Sequence, residues 1–273
     1  MVALSLRGKH FEMSGRLAGK VLVVIGGTTG LGLSAARAFV AEGARAVIVG
    51  RNPETAAEAA SLLGPAAHTR VGDATQSNTA PEAIAEALSI FGGFHGLYHV
   101  AGGSGRRMGD GPLHELTDEG VRATLELNLH GLIYSSRAAV RQFLSQGSGG
   151  SILHMGSVLG WSPSPMHFAT HAYAAAKAAI AGFTRSTAAY YAPQNIRINC
   201  LAPGLVETPM ARRAAQDPLI RAFAARKQPL DGGRIGHPSD YDGAAVYFLS
   251  EESRFTTGQI LAVDGGWEVS EGC

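Results

Sequence analysis

Two kinds of segment alternate along this chain without interruption, and that rhythm constrains the fold more than any single motif. Short β-branched runs occupy 21–25, 46–49, 68–71, 96–100, 151–155, 196–201 and 259–263. Ala-rich segments of helical length fill the intervals at 30–42, 53–63, 81–91, 117–144, 171–191 and 239–249. A run that is apolar on both sides of the pleat belongs to a strand buried on both faces. Joining parallel strands needs a crossover, so strict strand–helix alternation implies a parallel sheet. The expectation is an α/β fold: a doubly wound parallel sheet with helices on both faces. No linker, repeat or low-complexity tract breaks the rhythm, so residues 17–273 read as one domain. Residues 1–16 mix Gly and charge with few apolar side chains and read as a flexible extension. The rhythm stretches only at 207–238, where Met, Arg and Pro replace a plain connection.

Composition narrows the partners. With 45% hydrophobic and 16% charged residues the chain is globular rather than disordered. A net charge of +1 leaves no footprint for nucleic acid or an anionic membrane. No run approaches the roughly 18 apolar residues that span a bilayer, and residues 1–19 lack the apolar core of a secretory signal. The two cysteines, Cys200 and Cys273, are too few and too far apart for a metal framework. Cys200 reads as an inert core thiol and Cys273 as an exposed one. A cytoplasmic location fits both.

Chemistry enters at the first loop. The first strand runs into Gly26-Gly27-Thr28-Thr29-Gly30-Leu31-Gly32, and a helix follows. Glycines here let the chain turn tightly and let a pyrophosphate approach the backbone. The helix that follows turns its unpaired N–H groups and positive dipole end to that anion. The loop is the signature of a Rossmann-like dinucleotide fold, provided it lies between strand and helix.

A second motif is Tyr173-Ala174-Ala175-Ala176-Lys177. With the glycine loop it resembles the short-chain dehydrogenase/reductase family, and the resemblance runs from Leu17 onward. Asp73 resembles the family's adenine-contacting Asp, Asn128 its helix Asn, and Ser157 its catalytic Ser. Pro203-Gly204 with Thr208 resembles its nicotinamide-side loop, and Val263-Asp264-Gly265-Gly266 its C-terminal signature. The resemblance implies cofactor contacts at Gly26, Thr28, Thr29, Gly30, Leu31, Gly32, Arg51, Asp73, Ala74, Ala101, Gly102, Tyr173, Lys177, Pro203, Gly204, Val206 and Thr208. It implies a catalytic set of Asn128, Ser157, Tyr173 and Lys177, and no metal. Two departures stand out: Ile25 before the first loop Gly, and His99-Val100-Ala101-Gly102 where the family has Asn-Asn-Ala-Gly. The stretch from Ser157 to Tyr173 is also lengthened, and its insert at 161–168 is expected to border the substrate.

The residue types suit hydride chemistry. A ketone that takes a hydride leaves an alkoxide that needs a proton. Tyr has a free pKa of about 10, and bringing it to near 7 takes roughly 4 kcal/mol of preferential phenolate stabilisation. Lys177, four residues on and on the same helix face, is expected to supply part of that field. By the resemblance Lys177 also holds the nicotinamide ribose and Ser157 orients the carbonyl. The resemblance also implies that Asn128 bends its helix and holds a water that relays protons from Lys177 to solvent.

Other constellations carry less. His167 and His171 have the spacing of two ligands on one helix face, but no Glu lies between them and Pro163 and Pro165 mark a loop upstream. Ser157 sits in Met-Gly-Ser-Val-Leu-Gly, which is not a nucleophile elbow. Arg212, Arg213, Arg221, Arg226 and Lys227 read as a solvated helix face, with attraction of an anionic substrate as the alternative. The competing function is a catalytically idle dinucleotide sensor or scaffold. The intact Asn128, Ser157, Tyr173 and Lys177 set favours an oxidoreductase acting on a small carbonyl or alcohol.

Nucleotide choice and assembly are legible too. The second strand ends in Gly50 and not in an acidic residue that would accept from a ribose 2′-OH. Arg51 then faces a 2′-phosphate, so NADP(H) is expected to be preferred, with NAD(H) possible. The segment 171–191 is small or apolar on almost every side and needs cover all round. A second subunit, together with 117–144, is expected to supply it. By the resemblance, 260–269 adds another contact and completes a homotetramer.

Overall fold

The computed structural model describes residues 15–272. One parallel seven-stranded sheet has the order β3-β2-β1-β4-β5-β6-β7. Its strands are β1 Val21–Ile25, β2 Arg45–Gly50, β3 Ala67–Val71, β4 Gly96–His99, β5 Gly150–Met155, β6 Ile196–Pro203 and β7 Ile260–Val263. The helices are α1 Gly30–Ala41, α2 Pro53–Leu63, α3 Thr79–Phe91, α4 Asp118–Leu125, α5 Gly131–Gln146, α6 His171–Tyr191, α7 Arg212–Gln216, α8 Pro218–Lys227 and α9 Asp242–Leu249.

Strand β1 explains why these runs are apolar throughout. Leu22 and Val24 pack with Ala35, Ala36 and Phe39 of α1 and with Val246 and Phe248 of α9. Val21, Val23 and Ile25 point the other way, onto Ala83, Ile84 and Ala87 of α3 and Ala139 and Phe143 of α5. The period of two divides one strand between two cores. Each such buried aliphatic side chain contributes about 1.5–3 kcal/mol. The strand order reverses between β1, which pairs with β2 in register from Val21 to Arg45, and β4, which pairs from Leu22 to Gly96. The crevice beyond the carboxyl ends of the strands at such a switch point is where this architecture receives a ligand.

The helical segment expected at 117–144 is a correction. Helix α4 starts at Asp118, capped by Thr117, whose Oγ1 accepts from the Gly120 N–H at 2.9 Å. A π turn at Glu126–His130 then interrupts the α pattern, and α5 runs on to Gln146. The segment expected at 239–249 divides into a 3₁₀ turn at Pro238–Tyr241 and α9. The stretched region 207–238 holds α7 and α8. Cys200 is buried, and burial pushes its thiol up to about 12, so it is inert. The extension expected at 1–16 and the exposed Cys273 lie almost wholly outside the described residues. Arg16, however, is held, with its N–H on Glu42 at 2.8 Å and its guanidinium on Glu252. No described helix is long and apolar enough to cross a membrane.

Candidate active site

The glycine loop joins β1 to α1 at the switch point. Gly26 has a φ of 87°, and a β-carbon there would lie 2.6 Å from the backbone nitrogen of Ala101. A β-carbon on Gly32 would lie 2.2 Å from the carbonyl oxygen of Gly26. Both positions therefore need glycine, one for conformation and both for space. Thr29 occupies the N-cap of α1 without using its side chain as a cap, so the first N–H groups of a 12-residue helix keep no side-chain acceptor. Leu31 is half-buried against the α1 core. Thr28 is buried and its hydroxyl pairs with Thr55 at 3.1 Å. Gly50 fits under it: a β-carbon at Gly50 would meet Thr28 Oγ1 at 2.2 Å. Arg51 follows, exposed. Asp73 accepts from the N–H and hydroxyl of Thr75 at 2.9 and 3.0 Å, and the adjacent Ala74 is buried.

Four polar side chains come together from the π turn, the segment after β5 and the first turns of α6. Asn128 sits in the π turn, fully buried. Its Oδ1 accepts from the Gly103 N–H at 3.0 Å, and its amide donates to the carbonyls of Gly103 and Thr124 at 2.8 and 2.9 Å. Lys177 is 3% exposed and donates to the Met155 carbonyl at 2.9 Å. Gly102 lies between these two, since a β-carbon there would be 2.8 Å from Asn128 Oδ1 and 3.5 Å from Lys177 Nζ. Lys177 Nζ stands 5.5 Å from the centre of the Tyr173 ring. Ser157 lies two residues beyond β5, at the N-cap of the turn Val158–Gly160, and is hydrogen-bonded to the Tyr173 hydroxyl.

The electrostatics correct one expectation. Burial raises the Tyr173 phenol above its ordinary value, and the Ser157 hydrogen bond only partly offsets that. Burial also pushes Lys177 down to about 8. Removing a phenolate or an ammonium from water penalises the charged form, and burial is the largest influence on both groups.

The nicotinamide-side residues follow β6. Pro203 closes the strand, Val206 is buried in a bridge to Gly236, and Thr208 caps the next turn by accepting from Ala211 N–H at 3.3 Å. The insert at 161–168 packs against α8 and the C-terminal segment. His167 lies 4.8 Å from Phe223, Phe223 lies 5.5 Å from Trp267, and Phe168 lies 6.0 Å from Trp267. Arg212, Arg213, Arg221 and Arg226 are exposed, as a solvated face requires. Lys227 donates to the Ser270 carbonyl and Arg226 to that of Gly272, so these two hold the C-terminal segment.

Comparison with known proteins decides the family. A family model described as enoyl-(acyl carrier protein) reductase matches residues 26–268. The chain is 36% identical to the 3-alpha-(or 20-beta)-hydroxysteroid dehydrogenase of Mycobacterium bovis, over 93% of this chain and 91% of that protein. It is 34% identical to the 2,5-dichloro-2,5-cyclohexadiene-1,4-diol dehydrogenase of Sphingobium indicum, over 92% of this chain and 98% of that one. This chain belongs to the short-chain dehydrogenase/reductase family. A short-chain type dehydrogenase/reductase from Mycobacterium ulcerans has the same fold, with a TM-score of 0.85 at 30% identity over 93% of this chain and 91% of that one. As a short-chain dehydrogenase/reductase the protein is an NAD(P)-dependent oxidoreductase of CH–OH groups in small molecules.

The residues present fit a nicotinamide dinucleotide. The glycine cradle would be filled by a single β-carbon, the α1 amides lack a side-chain cap, and Arg51 has no acidic partner among the described residues. Sequence reasoning missed two residues that shape the site. Gln228, 2% exposed, accepts from Leu205 N–H at 2.6 Å and donates to the carbonyls of Leu205 and Arg234, pinning the chain after Gly204. Nothing local in the sequence marks it. Asp110 bonds to the start of α6, and only its place between Gly109 and Gly111 hints at a turn.

Proposed function

We propose that this protein is an NADP(H)-preferring dehydrogenase/reductase that interconverts a ketone and a secondary alcohol, with Tyr173 as the acid/base. The observation that carries the reading is the run of neighbours from Asn128 across Gly102 to Lys177, from Lys177 to the Tyr173 ring, and from Tyr173 to Ser157. The nicotinamide, when bound, accepts or supplies the hydride at the carbinol carbon. Everything else falls to the chain.

Gly26, Thr28, Thr29, Gly30, Leu31 and Gly32 would hold the pyrophosphate, and Asp73 and Ala74 the adenine side. Ala101, Gly102, Pro203, Gly204, Val206 and Thr208 would hold the nicotinamide side. In reduction Tyr173 gives its proton to the carbonyl oxygen as the carbon–oxygen double bond becomes single. In oxidation it takes the hydroxyl proton back. A phenol raised by burial is protonated at neutral pH, which suits the reductive direction. Ser157 orients the oxygen beside the phenol. Lys177 Nζ is the donor that faces the phenol, and Asn128 connects it outward. The Asn128 side chain is already used on Gly103 and Thr124, so the relay water falls to the backbone opened by the π turn. The relatives named for a hydroxysteroid and a cyclohexadienediol support a substrate that is a secondary alcohol on an alicyclic ring.

The test is turnover of a panel of alicyclic alcohols and ketones with both nucleotides, in the wild type and in Tyr173→Phe. Turnover should fall by at least ~100-fold in the variant, the scale of a lost acid/base, while nucleotide affinity stays within a few fold. Near wild-type turnover in folded Tyr173→Phe refutes the role. Nucleotide binding without turnover of any substrate favours an idle sensor.

A further inference from the structure

We propose that Asp110 is a positioning residue for Tyr173, tying the helix that carries the phenol to the loop beside Asn128. The inference rests on the catalytic reading of Tyr173 given above. Helix α6 begins at His171, and its first N–H groups have no partner within the helix. The N-cap residue, Thr170, makes no side-chain cap. Asp110 caps the helix instead, and its Oδ1 accepts from the N–H of Ala172, 62 residues downstream, at 3.0 Å. Oδ2 accepts from the N–H of Tyr173 itself at 2.9 Å. Asp110 is only 2% exposed. A buried carboxylate needs its lone pairs used, and here two backbone donors and the positive end of α6 meet that need.

The remote origin of this cap is its significance. A cap at Thr170 would stabilise the helix but anchor it to nothing. Asp110 instead belongs to the loop that starts at Gly102 against Asn128 and Lys177. Gly103 in that loop holds both ends of the Asn128 amide. Further on, Asp110 N–H bonds to the Gly105 carbonyl at 3.2 Å, and Thr117 N–H bonds to the Gly109 carbonyl at 3.2 Å. Gly105 has a φ of 68°, and a β-carbon there would strike Thr124 Oγ1 at 2.0 Å, so the loop lies tight on α4. One short stretch of chain thus grips Asn128 at one end and the backbone of Tyr173 at the other. Misplacing a reacting group by an ångström can remove about 100-fold in rate.

The experiment compares the full-length Asp110→Ala and Asp110→Asn variants with the wild type. Leu63→Ala, a core truncation in α2, shows how much activity an equal loss of Tm removes by itself. Asp110→Ala should lower kcat by at least ~10-fold while KM for the alcohol and Kd for the nucleotide stay within about threefold. Asp110→Asn keeps one acceptor and should recover part of the loss. Amide hydrogen exchange of the first turn of α6 should quicken by about tenfold in Asp110→Ala, with the middle of the helix unchanged. If Asp110→Ala does not fold, Asp110→Asn is read in its place. Unchanged exchange overturns the anchoring, and a kcat loss no larger than that of Leu63→Ala overturns the positioning. A wild type that oxidises no alcohol overturns the catalytic reading instead, and the exchange result still judges the anchor.

Discussion

At the scale of single residues, the end of β2 carries the choice of nucleotide. Arg51 is exposed and makes no side-chain hydrogen bond or ion pair with any described residue. Its guanidinium is free to offer planar donors to a 2′-phosphate. Such a charge-assisted contact is worth roughly 1.5–3 kcal/mol, which corresponds to a preference for NADP(H) of about 10- to 150-fold. Arg51→Ala should erase most of that preference and leave kinetics with NADH nearly unchanged. A wild type that favours NADH by more than a few fold would reverse the assignment. The absence of a carboxylate at Gly50 is legible in the sequence. Its cause is not: Thr28, pinned by Thr55, fills the space where any side chain would start.

At the scale of elements, β4 and β5 place two histidines side by side. His99 and His154 are register partners, and both are fully buried. His99 Nδ1 pairs with the Ser135 hydroxyl at 3.1 Å, and His154 pairs with the hydroxyls of Ser136 and Thr184 at 2.9 and 2.8 Å. In the sequence His99 is only a departure from the family's Asn. The fold gives it a place, with Ser135 of α5 as its partner. Burial lowers both to about 3, and for His99 the neighbouring His154 and Lys177 add to the effect. The unfolded chain therefore binds protons that the folded chain refuses. Stability is fully present above about pH 6.5 and is lost as the pH falls toward 3, by up to about 1.4 kcal/mol per unit for each ring. His154→Gln, neutral at every pH, should lose less stability than the wild type between about pH 6.5 and 4.5 in urea titrations. Parallel losses in the two proteins would show that His154 does not set the acid limit.

At the scale of the whole molecule, α6 leaves Ala175, Ala178, Ala179, Gly182 and Ala189 exposed on one protomer. A β-carbon on Gly182 would meet nothing within 4 Å. Phe255 and Val269 stand out near the C-terminus, the latter at 89% exposure. A helix with so little polar cover needs a second surface, and we propose a homotetramer built on α6 with α4 and α5, completed through 260–269. Light scattering at micromolar concentration should give four chains, and Gly182→Arg should shift the mass downward. A wild-type monomer refutes the assembly. The sequence by itself determined the strand–helix order, the sheet class, the glycine loop and the Tyr–Lys pair. These follow from periodicity and short spacing, which are local properties of a chain. Only the tertiary structure decided the π turn at Asn128, the raised Tyr173 phenol and the reach of Asp110 across 62 residues to cap α6. Those depend on burial and on partners distant in sequence, and neither is written in the residues on either side.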